Sequence, residues 1–328
     1  MDFEQIKTGD TFEADVLSRA TPEQRAEATV VARARPNQLL FFHGIENCRI
    51  EGITIRDSPC WTITFSDSRD VKIRGVSIDG DLRVPNNDGI HLTACKDVVI
   101  SDCVLSCGDD CIAITSITKW DEPSERIAVT NCSLVSRSAA VRLGHLASKV
   151  HDVVLTNLVI RDSQRGVGIF AGDGGLVENV LAHNLVIETR IVAGHWWGNG
   201  EPLVISAADG TGAIRNVRVA GVMARCENGV VVYGNRGNVS DVDLVDWRLE
   251  LSYGNNRPLL GKLIDLQPAQ PRAAADAQRH IPWLIAHQTR ELGLRHVRYG
   301  RHGSEDRRFS VEAVIDDSSV VSTDVTER

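Results

Sequence analysis

Apolar residues fall at the second, fourth, seventh and ninth places of a phrase that recurs along the chain. It reads NCRIEGITI from 47, DVKIRGVSI from 70, DVVISDCVL from 97, RIAVTNCSL from 126 and DVVLTNLVI from 152. Further copies are NVLAHNLVI from 179, NVRVAGVMA from 216, DVDLVDWRL from 241 and, more weakly, ELGLRHVRY from 291. Alternation at places two and four, and again at seven and nine, is the period of half-buried strands. Place six holds Gly, Asn or Asp in every copy but the last. Those residues tolerate the left-handed backbone region. Each phrase therefore predicts a strand, a one-residue bend and a second strand.

A third apolar strand precedes each phrase, as in GIHL, CIAI, AVRL, GVGI, PLVI and GVVV. Three short strands in about 25 residues predict an all-β solenoid, a parallel β-helix of about nine to ten coils stacked ~4.8 Å apart. A leucine-rich repeat would show helical periodicity between the phrases. A β-sandwich would not repeat one phrase in register.

The period breaks twice. One step lengthens to 37 residues and inserts ETRIVAGHWWGNGEP, and another reaches 50 and holds QPAQPRAAADAQRHIP. Residues 188–201 and 266–282 are read as these insertions. Thr21-Pro22-Glu23-Gln24 predicts a helix opened by a capping box. Because a solenoid end needs covering, residues 1–36 are read as a capping segment, 37–320 as the β-helix and 321–328 as a tail.

Composition narrows the function classes. With a net charge of −8 the chain offers no basic footprint for nucleic acid. No apolar run is long enough to span a membrane, and the N-terminus shows no basic start followed by an apolar core. The expected location is cytoplasmic if the chain starts at its natural N-terminus, and secreted or periplasmic if a segment precedes it. The eight cysteines form no C-x-x-C and several take apolar places, so they are expected as buried free thiols with no metal.

The chemistry lies in SCGDDCIAITS, residues 106–116. Aligning the coils on their first strand sets Asp88-Gly-Ile-His-Leu beside Asp110-Cys-Ile-Ala-Ile. Asp88 and Asp110 then stack on successive coils with Asp109 beside them. Three carboxyls so close cannot all ionise easily, so at least one holds its proton at raised pH. A protonated acid beside an ionised carboxylate is the equipment for glycosidic cleavage. A Ca²⁺ site serving a polysaccharide lyase is the rival use of the same cluster.

NNDGI (86–90) followed by CGDDCIAI (107–114), with RPNQLLFFHGIENCRIEGITIRDSPCWTI (35–63) ahead of them, resembles glycoside hydrolase family 28, the polygalacturonases and their relatives. The resemblance covers roughly residues 35–250. It implies a right-handed β-helix, hydrolysis with inversion and no cofactor. By that likeness Asp109 is the general acid, and Asp88 and Asp110 hold and activate the attacking water. The substrate would be a pectin-related or other polysaccharide or oligosaccharide.

Two motifs depart from the family. Where it reads Gly-His-Gly this chain has Ser138-Ala139-Ala140, and where it reads Arg-Ile-Lys this chain has Gly168-Ile169-Phe170. Both uronate-binding cations are replaced. Strand parity points His91, Arg142 and Gly168 outward in line with Ala113, which makes His91 and Arg142 candidate substrate-binding groups. Asn86 and Phe170 join them, with Trp196 and Trp197 of the first insertion as sugar platforms. His145 reaches the cleft only if its loop folds back. The reading from another class is a catalytically silent β-helix that binds carbohydrate.

Overall fold

The computed structural model describes residues 18–29, 34–116, 122–192, 194, 197–208, 210–259, 280–302 and 309–328. The strands form one sheet of 10 and one of 14, each ordered by steps along the chain. Neighbouring strands in both sheets are parallel. The solenoid is a right-handed parallel β-helix of about nine turns, the hand expected of crossovers between parallel strands. The first strands of the coils include Trp61–Ser66, Ile90–Thr93, Ile112–Thr115, Ala139–Leu143 and Arg165–Phe170. The nine-residue phrases make the 14-stranded sheet.

The bend at place six is left-handed in all nine copies, from Gly52 (φ 63°) through Asn131 (56°) and Asn157 (54°) to His296 (52°). The bend leaves the later strands unbroken: Lys149–Ser163 and Leu176–Thr189 run straight through it. Place one is left-handed as well, as at Asp97 (57°), Asp152 (58°) and Asn179 (56°), and even Arg126 and Glu291 adopt it. Stacked bends bond to one another. Asn157 Nδ2 donates to Asn131 Oδ1 at 3.2 Å and Asn184 Nδ2 donates to Asn157 Oδ1 at 3.3 Å.

Inward residues stack in rows down the axis, for example Ile63, Ile90, Ile112, Val141, Val167 and Leu203, all essentially sealed from water. Each such side chain contributes about 1.5–3 kcal/mol of burial. The cysteines are free, and all but Cys48 are buried among these rows.

Two boundaries differ from the sequence reading. The helix Pro22–Ala26 forms with its capping box, but it lies beside later coils and not over the end of the first one. Gln24 Nε2 donates to Asn256 Oδ1 at 2.9 Å, and Glu27 pairs with Arg190 at 2.8 Å. Those polar partners outweigh an end-cap position because the helix itself buries no side chain. The expected tail is a strand: Val320–Glu327 pairs with Thr289–Arg301 and extends the solenoid. Of the second insertion, residues 266–279 lie outside the described residues.

Candidate active site

The register that aligns Ile90, Ile112 and Val141 makes Asp88, Asp110 and Ala139 neighbours on three successive coils. Backbone bonds hold that step: Thr62 N–H donates to Asp88 O and Gly89 N–H donates to Asp110 O, each at 2.9 Å. Gly108 permits the turn that presents Asp109, because a Cβ there would stand 2.2 Å from Val84 O. Asp88, Asp109 and Asp110 are all buried, at 2%, 8% and 1% exposure. Three carboxyls therefore share one wall with little water to stabilise their charges.

A second row runs Thr64, His91, Ala113, Arg142, Gly168, the outward line that strand parity predicts. It supplies the counter-charge. Arg142 Nε–H donates to Asp110 Oδ2, and Ala139 N–H donates to Asp110 Oδ1 at 3.0 Å. Burial alone would lower Arg142, but Asp110, Asp88 and Asp109 together hold it above its ordinary value. Burial and the Asp110 charge push Asp88 well above the carboxylate range, with Arg142 opposing. Burial and then Asp88 and Asp110 do the same to Asp109.

His91 is buried beneath the half-buried ring of Trp61, whose centroid lies 3.9 Å away. Its Nδ1 is 3.0 Å from Asp88 Oδ2 and its Nε2 is 3.2 Å from Thr115 Oγ1. Burial and Arg142 hold His91 down to about 3, so the ring is neutral at ordinary pH. Burial, and after it the Arg142 charge, lowers His145 to about 3, with Asp110 opposing. The loop does fold back. Gly144 (φ 76°) reverses the chain where a Cβ would meet Phe170 O at 2.1 Å.

The remaining expected residues sit variously. Asn86 is left-handed (φ 54°) beside the site, and its Oδ1 is buried with no hydrogen-bond partner among the described residues. Phe170 folds its ring over Gly168, with Cε2 at 2.5 Å from where a Cβ would be, and packs with Val204, Val231 and Ile285. It therefore offers a ligand little open face. Trp197 is half-buried, and Trp196 lies outside the described residues. Trp61 and Thr115 escaped the sequence reading. Counting back from Ile63↔Ile90 places Trp61 opposite Asp88, so the coil register was the signal for it. Among the described residues no group of three or more His, Cys, Asp or Glu is placed to hold a metal ion. Both Asp110 oxygens are already engaged by donors.

Residues 21–254 match the sequence family Glycosyl hydrolases family 28. The chain belongs to that family. A probable polygalacturonase of Vitis vinifera is 30% identical over 187 residues, which is 54% of this chain and 38% of the relative. The match thus spans well under half the length of this relative. A Thermotoga maritima exopolygalacturonase structure covers 66% of this chain and 50% of its own, at 24% identity and TM-score 0.58. A Yersinia enterocolitica family 28 exopolygalacturonase covers 92% of this chain and 50% of its own, at 16% identity and TM-score 0.62. Those two likenesses concern the fold.

Proposed function

We propose that this family 28 chain hydrolyses a glycosidic bond of a pectin-type polysaccharide or oligosaccharide by a single displacement. The observation that carries the reading is the set of three buried carboxyls gathered around one buried guanidinium. The family membership and the polygalacturonase relatives support it.

The proton inventory follows from the hydrogen bonds. Thr115 Oγ1–H donates to Leu92 O at 3.4 Å, so its oxygen is left to accept from His91 Nε2–H. His91 Nδ1 then accepts, and Asp88 supplies the proton, in keeping with its raised pKa. Asp109 also keeps its proton. The cluster is then two neutral acids and one Asp110–Arg142 ion pair, with no net charge. In the reaction Asp109 gives its proton to the leaving oxygen as the anomeric C–O bond breaks. Water forms the new C–O bond from the opposite face and passes a proton to Asp110, with Asp88 orienting it.

The test is reducing-end release from polygalacturonate, rhamnogalacturonan fragments and neutral aryl glycosides, with the first-formed anomer followed by NMR. Inverted product that vanishes in Asp109→Asn is the expected result. Polygalacturonate should be cut slowly, because Gly168 and Phe170 stand where family relatives place cations. Two lost charge-assisted hydrogen bonds cost roughly 10²–10⁴ in kcat/KM. Retained configuration, or binding without cleavage of any substrate, would overturn the reading.

A further inference from the structure

The connections that lead from the end of one phrase to the first strand of the next coil change length along the solenoid. Residues 80–89 make a long one between Asp79 and Ile90. The next three are short: 108–111, then 137–138, then Gln164 alone. Between Thr189 and Glu201 the connection is long again, and its described part is 190–192, 194 and 197–200. Two lips therefore bound a notch in the wall. The first lip carries Asp88, and the second carries the half-buried Trp197. Ala139 pairs with Arg165, and Arg165 with Glu201, so Ser138, Gln164 and Gly200 form one column. Asp110 beside Ala139 puts Asp109 at its head. Asp109 and Gln164 are then two coil steps apart, about 10 Å.

Gln164 is buried, and its side-chain amide ties the two limbs of the second lip together. Its Oε1 accepts from Val192 N–H at 2.7 Å, and its Nε2–H donates to Gly198 O at 2.8 Å. A side-chain amide offers one acceptor and a donor, as a peptide unit does, so Gln164 acts as a rung across the lip. Gly198 (φ 121°) seats on its stem, where a Cβ would stand 2.9 Å from Gln164 Cγ. The roots of the lip have separate anchors. Arg190 N–H donates to Ser163 O at 2.9 Å, and Ile191 N–H donates to Glu227 Oε2 at 2.8 Å. Loss of the Gln164 amide would therefore free the outer part of the lip and leave its roots in place.

We infer that the second lip is a saccharide subsite, with Trp197 as its wall and Gln164 as the positioning residue that holds it. The inference rests on the hydrolase reading above and adds a preference for longer chains. Between Asp109 and the lip, Ser138 Oγ is buried with no hydrogen-bond partner among the described residues. A buried hydroxyl left unpaired is costly, and a sugar hydroxyl is a fitting partner for it. Aromatic rings suit the apolar faces of sugars, with polar groups beside them to fix the hydroxyls. A pyranose unit is about as long as one coil step. A chain cleaved beside Asp109 thus reaches the lip about two units further on, and an aryl glycoside does not.

The test is kcat and KM on a neutral aryl glycoside and on graded oligogalacturonides and rhamnogalacturonan oligosaccharides, each well below the variant's melting temperature. Wild-type KM should fall as the chain lengthens. Gln164→Met should erase that gain, raising KM on the longest chains about tenfold with kcat within about threefold. Its effect on the aryl glycoside should stay under about threefold. Trp197→Ala should act alike, and the double variant should be no worse than either single. Should Gln164→Met not fold, Gln164→Glu keeps the bond from Val192 N–H, loses the one to Gly198 O, and faces the same test. Calorimetric binding of the same oligosaccharides to Asp109→Asn reads the lip without turnover, so failure of the subsite and failure of hydrolysis are told apart. A penalty equal on short and long substrates, additive losses in the double variant, or binding indifferent to both substitutions would each overturn the inference.

Discussion

Arg142 donates its Nε–H to Asp110 from the next coil, and its buried guanidinium feels the charges of all three clustered carboxyls, Asp110, Asp88 and Asp109. Arg142→Met should lower kcat by roughly 10²–10⁴ and cost about 3–5 kcal/mol of stability, because a buried charge loses its partner. Arg142 opposes the rise in Asp109, so its loss should move the alkaline limb of the rate profile to higher pH. A pH–rate profile of the variant checks this. An unmoved limb would separate Arg142 from the acid.

Asp109→Asn should lower kcat by 10²–10⁴ without loss of fold. The native state raises the pKa of this carboxyl above its unfolded value. Its stabilising contribution is therefore complete below the unfolded value and is lost as pH rises through the folded one. The variant should gain most at neutral pH and little near pH 3. Each ~1 kcal/mol recovered reads as about 2 °C in Tm. Melting curves at the two pH values decide it.

His91 acts in the opposite sense. Its native pKa is depressed to about 3, so the unfolded chain binds the extra proton first as pH falls. Its contribution is present above the usual histidine pKa and is lost on the way down to about 3. His91→Gln should flatten the acid loss of stability over that window by a few kcal/mol. It should also lower kcat more than it raises KM, since His91 positions Asp88. Unchanged kcat would assign the imidazole to packing under Trp61 alone.

The stacked bends give a stability test independent of catalysis. Asn157→Val places a β-branched residue at φ 54° and breaks the bonds to Asn131 and Asn184. The expected cost is about 2–3 kcal/mol. Glu291→Asn puts a tolerant residue at φ 53° and should gain about 0.5–1 kcal/mol. Denaturant midpoints for both variants check the signs.

The coil register was legible because a repeated phrase encodes it: apolar places two, four, seven and nine, and a bend residue at six. That register alone stacks Asp88 on Asp110 and lines His91 up with Arg142. The left-handed residue at place one was less legible, since Arg126 and Glu291 carry no turn preference and adopt the bend under the pairing of neighbouring coils. The fold-back of His145 depended on Gly144, whose need for a missing Cβ appears only once Phe170 O is in place. Trp61 was hidden because its partner in space, His91, lies one coil and 30 residues away. The helix at Pro22–Ala26 was found by its capping box. Its docking partners, Arg190 and Asn256, carry no local signal that names it.

Parallel coils joined only to their neighbours also set an order of assembly. The groups that meet at the cluster, from Trp61 to His145, lie on four adjacent coils, and the chain emerges through them in sequence. A nascent chain synthesised through about residue 175 already contains every carboxyl, the guanidinium and the imidazoles, with one further coil to seal them. Loosening at the far end then propagates coil by coil before it reaches them. Under mild denaturant the distal coils should exchange amide hydrogens while the rate of hydrolysis holds, so catalytic failure would be a late report of unfolding.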